Sequence, residues 1–156
     1  MSNLQNRIAR HHLMVLAAAA ITFLGTACDV GPPATPPASH GGPVQDQPSL
    51  IDALRAAGLT VNPVAKIQQP FLSGSGNTVQ VDGETIQVFE YADENAAKSD
   101  AAKIQPNGTV PGPPVTWPAT PHFYQKGRII VIYPGTDQKV LNALESALGK
   151  PFAVGP

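Results

Sequence analysis

The 156-residue chain has one cysteine, one tryptophan and only 13% charged residues. A lone cysteine excludes an intramolecular disulfide and a multi-cysteine zinc site. Histidine is almost as scarce where it could matter. His11 and His12 lie close to the start and His40 in a proline-rich stretch, which leaves His122 alone in the rest of the chain. One imidazole without a thiolate partner cannot build a histidine-rich metal centre, so no metal is expected. Lys and Arg (10) nearly balance Asp and Glu (11), without the basic excess of a nucleic-acid binder. No apolar run reaches the roughly 20 residues that carry a helix across a bilayer. The length suits one ordinary domain. Proline and glycine, by contrast, are plentiful at 17 and 14 residues. An excess over average usage of that size marks part of the chain as linker.

The amino-terminal region has its own pattern. Arg7 and Arg10 are its full charges, followed by an apolar run from Leu13 to Leu24 and then Gly25-Thr26-Ala27-Cys28. A positive start, a short apolar stretch and small residues before a break form a secretory signal pattern. A conventional cleaved signal or a retained signal anchor could use the same run. The only cysteine, however, stands where cleavage is expected, and this resembles the lipobox of bacterial lipoproteins. Gly25 takes the place of the commoner leucine three residues before the cysteine. The resemblance covers residues 1–28 and implies a signal peptide over 1–27, cut before Cys28, with a diacylglycerol on the Cys28 sulfur and acylation of the new amino terminus. It places the protein on the cell membrane or the outer envelope membrane, with its domain on the extracytoplasmic side. Removing Arg7 and Arg10 leaves 8 basic and 11 acidic groups, a net charge of −3, so lipid rather than a basic patch would do the anchoring. Two or three acyl chains hold stably where one is marginal.

Residues 28–48 read as the lipidated cysteine and a tether. Between Asp29 and Pro48 there are six prolines and three glycines, and the larger apolar residues are Val30 and Val44. Such a stretch buries too little surface to offset its ordering entropy. At about 3.1 Å per residue, a polyproline-like tether of this length reaches roughly 60 Å.

The folded domain is expected over 49–156. Ser49, with Asp52 three residues on, reads as a capping box opening a helix that ends at Gly58. Pro63 and Pro70 confine the following strand to an edge. Asp82-Gly83 between Thr78–Val81 and Glu84–Val88 is a two-residue hairpin signal, pairing Val79 with Ile86. Asp93 caps a helix through Ile104, with Ala97, Ala101 and Ile104 inward. Six more prolines make 105–121 an irregular crossing around Trp117. A second hairpin turns at Lys126-Gly127, and Thr136 or Asp137 caps a last helix ending at Gly149. Gly83 and Gly127 each precede their helix cap, Asp93 and Asp137, by ten residues. The order helix, hairpin–helix, hairpin–helix predicts an α+β fold, an antiparallel sheet with helices packed on one face.

Catalytic patterns are not found. Asp82, Glu84, Asp93, Glu94 and Asp100 read as turn, cap and helix-surface residues. Gly74-Ser75-Gly76 lacks the Lys-Ser/Thr of a phosphate loop, and Ser73 and Ser75 lack a nucleophile elbow. The expectation is a non-catalytic, cofactor-free lipoprotein that binds an envelope protein or other envelope component. A small-ligand module using Trp117, His122 and Tyr124 is the alternative, and a hydrolase built on His122 is a third reading. The second hairpin sorts Phe123, Ile130 and Ile132 onto one face and His122, Tyr124, Ile129 and Val131 onto the other. If the first set joins Val79, Val81, Ile86 and Val88 under the helices, the second joins Phe89 and Tyr91. With Trp117, these residues then form an aromatic platform on the open face, unless the first helix or the proline-rich crossing covers it.

Overall fold

The structure, a computed structural model, describes residues 42–156. The signal segment, Cys28 and the tether as far as Gly41 lie outside the described residues. Within them the chain order is α1 (Gln47–Ala56), β1 (Val61–Ile67), β2 (Ser75–Val81), β3 (Glu84–Glu90), α2 (Glu94–Ala101), β4 (Pro121–Lys126), β5 (Ile129–Pro134), α3 (Gln138–Leu148) and β6 (Ala153–Val154). The strands form one antiparallel sheet in the order β1-β2-β3-β5-β4-β6. The fold is α+β, as the element pattern predicts.

Turn chemistry sets both hairpins. Asp82 and Gly83 take φ of 50° and 91°, the pair of positive values that a type I′ turn demands, and Val79 lies opposite Ile86. In the second hairpin Lys126 pairs with Ile129, so the turn is Gly127-Arg128 rather than Lys126-Gly127. Gly127, with φ of 50°, fits the first turn position better than the second. Moving the turn by one residue shifts the register by two. Each side chain therefore keeps the face assigned to it.

The helix starts follow their caps. Asp137 accepts from Val140 N, and Asp93 accepts from Ala96 N. At α1 the cap is Asp46, three residues before the expected Ser49. Ser49 N donates to Asp46 Oδ1 and Asp46 N donates back to Ser49 Oγ, each at 3.0 Å. Asp offers a charged acceptor, and Pro48 then falls in the first turn, where its missing N–H costs nothing. The ordered domain therefore extends into the expected tether, and Val44 is 3% exposed within the core.

Helices cover both faces of the sheet, not one. α1 and α3 pack Leu50, Leu54, Val140 and Leu144 on Val79, Val81, Ile86, Val88, Tyr124, Ile129 and Val131. α2 lies on the other side, where Ala97 and Ile104 meet Phe89, Phe123, Ile130 and Ile132 under Phe71, Trp117 and Phe152. The cause is in β3 and β5, which are apolar on both sides: Val88 pairs with Val131 and Phe89 with Ile130. Strands of that kind need two covers. The two hairpin–helix units thus send their helices to opposite faces despite their equal spacing. The sheet's two ends differ from its centre. β1 has exposed residues from Asn62 to Lys66 and a bulge between Pro63 and Ala65, whereas β6 is two residues long.

Candidate functional site

The aromatic set expected on one platform is divided by the sheet. Phe89, Tyr91 and Trp117 belong to the second core, under α2 and the proline-rich crossing. Tyr124 belongs to the first core, and His122 shares its side of β4. The hairpins join the opposite way round from the expectation, with Phe123, Ile130 and Ile132 beside Phe89. Phe89 and Tyr124 are fully buried and Tyr91 nearly so. Trp117 is half-buried, edge-on to Phe71 and Phe123 at 6.5 and 5.8 Å between ring centres. His122 stacks on Tyr133, its Nδ1 3.4 Å from the Tyr133 carbonyl oxygen. α2 and the crossing cover Phe89 and Tyr91, whereas α1 and α3 cover Tyr124.

Several polar side chains are consumed by the fold. Asp100 was expected on a helix surface but is 3% exposed. Its carboxylate accepts from Ser73 N at 2.6 Å, Ser73 Oγ at 2.8 Å, Tyr91 Oη at 2.9 Å and Lys103 Nζ at 2.6 Å. Burial pushes this acid up, but the donors from Lys103, Ser73 and Tyr91 outweigh it and hold the carboxyl at about 2. Burial, then the hydrogen bond to Asp100 and its charge, raises Tyr91 in turn. The group pins the segment after β1 to α2. Ser73 donates its hydroxyl to the acid. Nothing local could have exposed this cluster in the sequence, since Ser73 and Asp100 are 27 residues apart. Tyr133 Oη donates to Glu84 and accepts from Asp137 N, with burial raising it to about 12. Among the described residues, no three histidine, cysteine or acidic side chains gather to hold a metal ion.

An open site lies elsewhere. α1 seats Leu50 and Leu54 over the middle of the sheet and leaves the β1–β2 corner uncovered, and there the same face becomes polar: Lys66 pairs with Asn77. The result is a groove of about 430 Å³. Gln47, Pro48, Ile51, Asp52 and Arg55 of α1 form its wall, and Pro63, Lys66, Asn77 and Glu90 its floor. Asn77 Nδ2 donates to Gln47 Oε1 at 2.7 Å, Arg55 donates to the Val61 carbonyl at 2.8 Å, and Arg128 holds Glu90 at 2.6 Å. Two cations, two carboxylates and two amides thus sit beside the apolar edges of Pro48, Ile51 and Pro63. The arrangement suits recognition by hydrogen bonds and charge. Its lining contains no serine, cysteine or histidine. Sequence reasoning missed this site because its residues come from four elements and carry no motif.

Comparison with known proteins returns no match: no family model, no curated protein and no solved structure corresponds to the chain.

Proposed function

We propose that this protein is a bacterial envelope lipoprotein, anchored by lipid on Cys28, whose domain binds an envelope protein or other envelope component without catalysing a reaction. The lipobox-like Gly25-Thr26-Ala27-Cys28 and the proline-rich stretch after it support the anchor. The groove between α1 and β1 carries the binding reading, because its open polar lining offers donors and acceptors together with apolar contact. Its volume also falls within the range of small-molecule sites, which favours a small ligand as the second reading. The anchor is tested by metabolic labelling with a fatty-acid analogue. Label on the wild type that disappears in Cys28→Ser is expected, and an unlabelled wild type sinks the anchor. A photo-crosslinking residue placed at Ile51 or Lys66 tests the groove. A discrete adduct from those positions, not formed from Lys150, is expected in cells.

A further inference from the structure

The three residues before α1 belong to no helix or strand, yet they are tied from several sides. Val44 is buried in the first core. The Gln45 carbonyl accepts from Arg128 N at 2.8 Å. The Arg128 guanidinium lies 3.5 Å from the Asp46 carboxylate and 2.6 Å from that of Glu90, and the Arg128 carbonyl accepts from Tyr91 N at 2.9 Å. Gly127 sits so near that a Cβ there would come within 2.5 Å of the Gln45 backbone. Arg128 therefore joins these three residues to both β3 and the β4–β5 turn. Its side chain is 41% exposed, so water and salt reach the ion pairs.

We propose that Val44–Asp46 is a releasable strap held by an ionic clasp centred on Arg128. In the closed state the strap fixes the start of α1. In the open state the strap swings away and the end of α1 at Gln47 and Pro48 loosens, while Leu50 stays seated on the sheet and the strands remain paired. Local opening of this kind needs few buried contacts to be broken, and Val44 is the one core side chain that the strap supplies. Asp46 caps α1, and Gln47 and Pro48 stand in the groove wall, so opening also takes apart one end of the groove. The inference depends on the fold alone and stands whether or not the anchor and the partner are as proposed.

Hydrogen exchange on the full chain tests it, comparing wild type with Arg128→Gln and Gly127→Ala. The first variant removes the ion pairs. The second leaves the charged groups in place, crowds Gln45 and strains the left-handed turn position. In both, protection at the amide of residue 128 and at Leu50 N, which donates to the Asp46 carbonyl, is expected to fall about 5- to 30-fold. Val79 and Ile86 in the β2–β3 ladder keep their protection. For the wild type, about 1 M salt shortens the screening length to about 3 Å and lowers protection at the same two amides only. Unchanged protection in Arg128→Gln, or an equal loss across the sheet, overturns the proposal.

Discussion

At the scale of single residues, two buried hydroxyl and carboxyl groups have opposite fates. Asp100 accepts from four donors, and removing it leaves the buried Tyr91 hydroxyl without an acceptor. Asp100→Ala is expected to cost about 1 to 2 kcal/mol in denaturant unfolding, because the buried Tyr91 hydroxyl loses its acceptor while the exposed Ser73 and Lys103 turn to water. Its pH dependence has a definite sign. The carboxyl titrates near 3.8 when unfolded and at about 2 when folded. Its contribution is therefore complete above about pH 4 and is lost as the pH falls toward 2. Acid unfolding that is no steeper in wild type than in Asp100→Ala would show the lock to be idle. Tyr124, by contrast, keeps a buried hydroxyl with no protein partner, and burial followed by the Glu145 charge raises it to about 12. Tyr124→Phe keeps the shape and drops the desolvated group, so thermal melting is expected to be unchanged or up by about 1 kcal/mol in stability.

At the scale of elements, local chemistry was legible in the sequence wherever the deciding residues were neighbours. Asp82-Gly83, the Asp93 and Asp137 caps and the Gly149 stop all act within a few residues, and their elements form where they point. Asp46 takes the cap because its carboxylate accepts from Ser49 N while the Ser49 hydroxyl turns back to accept from Asp46 N, so Ser49 serves as the third residue of the helix. Asp46→Ala, which removes this cap and one of the Arg128 ion pairs, is expected to lower stability by about 1 to 2 kcal/mol by chemical denaturation. How the two hairpins meet was not legible. Alternation fixes which residues share a face within a hairpin but not which face of one hairpin continues which face of the next. The pairing of β3 with β5 decides that, through the contacts Val88–Val131 and Phe89–Ile130. The groove was illegible for the same reason, since it arises from where α1 ends its cover of the sheet.

At the scale of the whole molecule, the 105–121 crossing acts as a lid on the second core, and Trp117 is its main contact. Trp117 stands between Phe71 and Phe123 while keeping partial exposure. Trp117→Ala is expected to cost about 2 to 3 kcal/mol, less than a fully buried aromatic. Acrylamide should quench its fluorescence to a degree between that of a free indole and a shielded one, and quenching like free indole would mean that the crossing does not lie on the core. The sheet's margins bear on how many copies can live side by side. A lipid anchor of the kind proposed would confine these domains to a plane, where they collide far more often than in solution. Strand-to-strand fusion is then the standing hazard. Pro63, the bulge beside it and the charged Lys66 interrupt one margin, and the other offers only Ala153–Val154. Such a sheet can be crowded on a surface and still remain a collection of separate molecules.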